Sequence, residues 1–292
     1  MRVFITGATG FIGSQVTPNL IAAGHQVLGL TRSDAGAAAL KAAGADVHHG
    51  SLADLESLRA GAATADAAIH LAFDHDFSKW AENCAVDQGV IEALGGALAG
   101  SSRPFIVTSG TAISYTPGRP TTEADPPNSP APRVVTEHAV EAVLAEGVDV
   151  RVIRLPQVHD PLKQGLITPL AAIAREKGVS AYVGDGANRW PAAHVSDVAM
   201  LYRLVLEKGE KGARYNAVDE AGVAMKDIAE AIGKGLGIPA VSITAEAAQA
   251  HFTWLAWFVG ADIPASSALT RQWLGWQPKG PSLLADLAEA KF

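Results

Sequence analysis

The chain has 292 residues, 48% hydrophobic and 18% charged, with 23 Lys and Arg against 30 Asp and Glu for a formal net charge of -7. That composition suits a large buried core, and an acidic balance without a Lys/Arg block excludes the basic field a nucleic-acid partner needs. A single cysteine, Cys84, excludes an internal disulfide, no Cys/His cluster has zinc-ligand spacing, and no apolar run approaches about 18 residues. The expectation is a cytoplasmic protein with no signal peptide, membrane span or metal, acting on a small molecule; its assembly is left open, a homodimer included.

In chain order, short β-branched runs alternate with Ala- and Leu-rich stretches at helical spacing. Strands are expected at Val3 to Thr6, Gln26 to Leu30, Asp46 to His49, Ala67 to Ala72 and Phe105 to Ser109, with helices such as Ser14 to Ala23 and Val86 to Leu98 between them. Strand, crossover helix and strand in repetition predict an α/β fold with a doubly wound parallel sheet. Gly24 is placed to end the first helix, whereas Pro18 should bend or shorten it. Residues 116–132 carry too much proline for a regular element and predict a loop near the mouth of the site. Helical spacing resumes from Arg133 to Ala145 and a strand from Val150 to Leu155, after which the alternation weakens. The expected division is a nucleotide-binding unit of residues 1–155 with about 192–218, and a smaller C-terminal substrate lobe of 156–191 with 219–292.

Directly after the first strand comes TGATGFIG, with Gly7, Gly10 and Gly13 three apart and Thr9, Phe11 and Ile12 between them. The first glycine permits a tight strand-to-helix turn, the second lets amides approach a pyrophosphate, and the third lets the helix pack on the sheet. The end of the second strand reads Thr31, Arg32, Ser33 rather than ending in an acid that would accept a ribose 2′-hydroxyl. A guanidinium beside two hydroxyls suits a 2′-phosphate, so NADP(H) is preferred over NAD(H).

The glycine spacing, HLAF at residues 70–73, VTSGT at 107–111, RLPQVH at 154–159 and LGW at 274–276 together resemble the extended short-chain dehydrogenase/reductase superfamily, over almost the whole chain. The resemblance implies a Rossmann fold in which Leu71, Ala72, Phe73 and Thr108 line the cofactor, Ser51 and Leu52 flank its adenine, and Leu155 and Pro156 lie near the nicotinamide. It also implies a Tyr-x-x-x-Lys pair after the fifth strand, yet Arg133 and Glu137 stand there, and none of the four tyrosines restores the pair. The likeness is therefore to an atypical subgroup.

Four residues are candidates to replace the missing chemistry. Arg133 and Glu137, four apart, could pair across one helix face; alternatively Glu137 accepts ribose hydrogen bonds while Arg133 directs a permanent charge at the substrate oxygen. His75, between Asp74 and Asp76 after the fourth strand, could be a proton donor whose flanking carboxylates raise its pKa. Thr111 falls close to the superfamily's catalytic hydroxyl, although Gly110 occupies the matching position. His159, Tyr182 and Trp190 are substrate-binding candidates, and His194 is expected to brace the return to the nucleotide unit. Aromatics at 73, 77, 80, 252, 254, 257 and 258 form core or line an apolar cleft. The sequence favours an NADP(H)-dependent oxidoreductase that reduces a carbonyl or related C=N or C=C group of a bulky apolar molecule. A non-catalytic NADP(H) sensor, or an epimerase or dehydratase that retains its cofactor, stays open.

Overall fold

Strands buried on both faces need apolar residues at every position, and the first strand, RVFIT, supplies them. In the computed structural model of residues 1–292, Val3 and Ile5 face one core while Phe4 faces the other. The strands are β1 (Arg2–Thr6), β2 (Gln26–Thr31), β3 (Asp46–His49), β4 (Ala67–His70), β5 (Pro104–Gly110), β6 (Asp149–Leu155), β7 (Gln157–His159), β8 (Ser180–Val183), β9 (Arg189–His194), β10 (Arg214–Asn216), β11 (Glu220–Ala224) and β12 (Ala240–Ile243). Seven of them form a sheet in the order β10-β6-β5-β4-β1-β2-β3, with every pairing parallel. Helices α1 (Gly13–Ala22), α2 (Asp34–Ala42), α3 (Leu55–Ala63), α4 (Trp80–Leu98) and α5 (Val135–Ala145) connect them. After α6 (Ile167–Lys177), the helix α7 (Val195–Lys208) packs on α1 and leads into β10, and α8 (Met225–Leu236) belongs to the smaller part. This is the doubly wound Rossmann arrangement.

The smaller part holds a three-stranded sheet, β11-β9-β7, and the pair β12-β8 around its own core, which includes Ile167, Trp190, Ile228 and Leu283. Near the C-terminus the chain returns, and Leu274 and Trp276 pack in the core of the seven-stranded sheet rather than in the second lobe, where the sequence had placed them.

Local departures from the expected elements have physical causes. The fourth strand stops at His70, two residues early, because the amides of Leu71 and Ala72 both turn onto the Thr6 hydroxyl at 3.2 Å. Helix α1 runs unbroken through Pro18, since Ser14 and Pro18 are both exposed and water can take the freed carbonyl. It closes at Gly24, φ 86°, with the His25 amide bonded to the Leu20 carbonyl and the Gly24 amide to that of Ile21. The helix expected from Arg133 instead opens with a 3-10 turn, Pro132–Val134, so the α-helix begins at Val135. The proline-rich loop is irregular, and Thr121 ties it to the second part through the Pro264 carbonyl and the Ser266 amide.

Candidate active site

The strand order reverses between β1 and β4, which opens a crevice at the carboxyl ends of those strands. Gly7 lines it at φ 71°, so close to the next strand that a Cβ would lie 2.7 Å from the Ala72 amide nitrogen. A Cβ on Gly13 would collide with the Gly7 carbonyl, so Gly13 is needed for the helix to sit against the turn. At Gly10 the single neighbour within 4 Å of an added Cβ is the Gly7 oxygen at 3.2 Å, so a side chain there would fill the crevice rather than the fold. No side chain caps α1 and no acid occupies its first turn, which leaves its amides and positive dipole end for an anion. The cradle thus fits a dinucleotide pyrophosphate. Thr9 is exposed over it, while Phe11 and Ile12 are half-buried.

At the end of β2, Thr31 and Ser33 take part in the turn. The Ser33 amide donates to the Thr31 hydroxyl at 3.3 Å, and the Ser33 hydroxyl caps α2 by accepting from the Gly36 amide at 3.1 Å. Arg32 is exposed and forms no ion pair, so its guanidinium remains free for a ligand, as does the proton of the exposed Ser33 hydroxyl. Ser51 is half-buried, and Leu52 joins Ala72, Phe73, Asp74, Asn83, Val86 and Asp87 around a shallow cleft. Leu71 is half-buried beside the crevice; across the sheet Leu155 pairs in register with Gly110, and Pro156 follows it.

Above this cleft lies a buried polar chain that the sequence reading did not contain. The Thr6 hydroxyl oxygen accepts from the Leu71 and Ala72 amides, so its own proton is directed to His70 Nδ1 at 2.6 Å. That fixes the ring tautomer, and Nε2–H donates to Asp87 Oδ1 at 3.1 Å. Asp87 Oδ2 accepts from the Thr136 hydroxyl at 2.7 Å and lies 3.0 Å from Arg133 Nη1. Burial alone would raise the Asp87 carboxyl, but the His70 hydrogen bond, the Arg133 charge and Thr136 hold it below the ordinary carboxylate range. Thr108 is satisfied by the same region: its hydroxyl donates to the His70 carbonyl at 2.7 Å and meets the buried Tyr202 hydroxyl at 2.7 Å.

The guanidinium of Arg133 lies 3.7 Å above the Phe73 ring and donates from Nη2 to the Thr108 carbonyl at 3.3 Å. It does not pair with Glu137. The 3-10 turn takes Arg133 off the helical face on which a four-residue spacing would bring the two together. Glu137 is fully buried: Oε1 accepts from Arg154 Nε and the Ser109 hydroxyl, and Oε2 from Arg154 Nη2 and Arg214 Nε, at 2.7 to 3.0 Å. With all four lone-pair sites occupied it has none left for a ribose, so its role is structural. Burial opposes its charge, and the two arginines overcome that and lower its pKa.

Other candidates are corrected as well. His75 has its pKa lowered, first by desolvation and then by the Arg133 charge, which outweigh the raising effect of Asp74, while Asp76 turns to Ser78. Thr111 is buried with its hydroxyl aimed at the Leu155 carbonyl, 3.4 Å away, so it serves the turn. His159 is fully buried against Asp286, with Nδ1 to Oδ2 at 2.7 Å, and Trp190 is buried with its indole N–H on the Phe258 carbonyl at 2.8 Å. Both belong to the interior of the second part, not to a substrate cleft. Tyr182 is half-buried on β8, and His194 caps α7 through the Ser196 amide. The aromatics divide: Trp190 and Phe252 are core, whereas Phe77 stacks on Trp254 at 3.7 Å and on Trp80 at 4.7 Å, carrying a ring chain from the loop after β4 onto the second part.

Residues 3–218 match the NAD dependent epimerase/dehydratase family. The chain belongs to that family. Among relatives, an uncharacterized protein of Schizosaccharomyces pombe, C2A9.02, is 46% identical over 100% of both chains. A 4-hydroxy-2-methyl-3-oxo-4-farnesyl-3,4-dihydroquinoline-1-oxide ketoreductase of Stigmatella aurantiaca is 25% identical over 88% of this chain and 81% of its own. Among solved structures, dTDP-glucose 4,6-dehydratase of Streptomyces venezuelae with NAD bound superposes with a TM-score of 0.77 at 20% identity, covering 100% of this chain and 96% of the other. The fold of this family member is thus the NAD(P)-binding short-chain dehydrogenase/reductase fold, and no helix in it is long and apolar enough to cross a membrane.

Proposed function

We propose that this family member is an NADP(H)-dependent reductase of a carbonyl group, or of a related C=N or C=C group, in bulky apolar small molecules. The observation that carries the reading is Arg133: where the short-chain dehydrogenase pattern calls for a proton-donating phenol, a guanidinium is stacked on Phe73 beside the cofactor crevice. The nicotinamide supplies a hydride when bound. Arg133 meets the negative charge that then develops on the substrate oxygen, and it does so without surrendering a proton, because a guanidinium is a permanent cation in a protein. The proton comes from water; His75, held below the ordinary imidazole range, is largely neutral at pH 7 and is not a standing acid. The unpaired Arg32 supports NADP(H) as the donor. The stacked rings of Phe77, Trp80 and Trp254 support an apolar substrate, as does the likeness to a ketoreductase whose substrate carries a farnesyl group.

The test is NADPH consumption by the purified protein against bulky aldehydes, ketones, imines and enones, with product analysis in the same samples. Oxidation of NADPH with matching reduced product is the expected result. Product formed without net NADPH loss would replace the reading with an epimerase or dehydratase, and tight NADPH binding with silence across the panel would replace it with a sensor.

A further inference from the structure

The polar chain beneath Arg133 is built to hold one group still. Asp87 is 2% exposed and sits in the middle of α4 on a face otherwise formed by Cys84, Ile91 and Leu94. A carboxylate there is costly unless it is hydrogen-bonded and paired. Here one oxygen is fixed by His70, itself oriented by Thr6, and the other by Thr136. The remaining cation at hand is Arg133, whose Nη1 lies 3.0 Å from Oδ2 without making a hydrogen bond to it. The guanidinium therefore has a carboxylate at one edge, a carbonyl at another and a ring beneath it, and no polar side chain confines its outward face.

We propose that Asp87 is the positioning residue for Arg133: locked by His70 and Thr136, it places the guanidinium at the mouth of the cofactor crevice so that the charge faces the reacting oxygen without reorganising as the oxygen becomes negative. The inference rests on the reductase reading for its function, but the placement itself can be read without turnover. A carboxylate retained for fold stability alone would not need to sit against an arginine whose side chain keeps 14% exposure at the ligand edge of the sheet. Glu137, buried among Arg154 and Arg214, shows how this chain builds a purely internal ion cluster.

The experiment is Asp87→Asn in the full-length protein, read in two ways. In steady-state kinetics with NADPH and the best substrate of the panel, kcat is expected to fall at least tenfold while KM and NADPH affinity stay within about twofold. Arg133→Ala should lower kcat similarly, and the double variant should be no worse than Arg133→Ala alone, because both changes remove one device. In side-chain ¹⁵N spectra of the NADPH complex, assigned by Arg133→Lys, the Arg133 guanidinium should give resolved, ring-shifted signals that collapse to an averaged position in Asp87→Asn. Additive losses in the double variant, or Arg133 signals unchanged in Asp87→Asn, overturn the proposal. Wild type that shows the placed guanidinium yet turns over nothing supports the placement and removes the reductase reading. Should Asp87→Asn fail to fold, Asp87→Glu keeps the charge on a longer arm; the same fall in kcat is expected, and an unchanged kcat overturns the proposal.

Discussion

At the scale of single residues, Arg32 and Asp87 differ in how they announce themselves. Arg32 stands out in the sequence because its place, the end of the second strand, is fixed by the glycine turn before it, and a dinucleotide fold presents that position to the cofactor ribose. In the structure the neighbouring hydroxyls of Thr31 and Ser33 accept from the Ser33 and Gly36 amides within the turn and the α2 cap. Under the proposed NADP(H) preference, Arg32 is the cation placed to meet the 2′-phosphate. Arg32→Ala is expected to weaken NADPH binding by tenfold or more and to leave NADH within about twofold, as read by fluorescence titration of both cofactors; a charge-assisted contact of about 1.5 to 3 kcal/mol corresponds to that loss. Equal loss for both cofactors would remove the assignment. Asp87 left a fainter trace, a carboxylate inside an apolar stripe that repeats every three or four residues along 84–98, which an expectation built on missing tyrosine and lysine passed over.

Elements were legible where periodicity and punctuation agree, and the partners of charged side chains were not. The inner parallel strands β1, β5 and β6 fall within a residue or two of where their apolar runs predict, because strands covered on both faces leave no polar register to confuse. The possibility that Arg133 and Glu137 pair assumes a helix that includes both, and one 3-10 turn at Pro132 is enough to separate them. The same turn frees Glu137 to staple α5 to β6 and β10 through Arg154 and Arg214. Glu137→Gln should therefore destabilise the protein by about 3 to 5 kcal/mol at neutral pH, since it leaves buried arginines uncompensated; the check is the denaturant midpoint at unchanged slope. The sign with pH follows from the lowered folded pKa. Glu137's contribution is fully present above the unfolded value of about 4.3 and is lost as pH falls through the folded value, so the gap between wild type and Glu137→Gln should narrow in acid. A gap that widens in acid would contradict the ion cluster as the source of stability.

On the scale of the whole molecule, the two parts are joined across the site by rings. Trp254 follows Thr253, the one non-glycine residue with positive φ, at 54°. A β-branched residue in that region costs about 1 to 3 kcal/mol and persists only where its surroundings impose it. What the surroundings gain is the Trp254 ring laid on Phe77 at 3.7 Å, 13° from parallel, which ties the second part to the loop that carries Phe73 and His75. No periodicity in the sequence predicts this, because it is a meeting of two irregular segments some 180 residues apart. If this contact walls an apolar substrate cleft, Trp254→Ala should raise KM for bulky substrates about tenfold and change KM for small aldehydes little, with NADPH affinity intact. The stack itself contributes only about 0.5 to 1.5 kcal/mol beyond its buried area, and its removal lets Thr253 relax, so the melting temperature should move by only a few degrees. A large loss of melting temperature with unchanged selectivity would make the rings a structural clamp instead, and the preference for bulky apolar substrates would then need another wall.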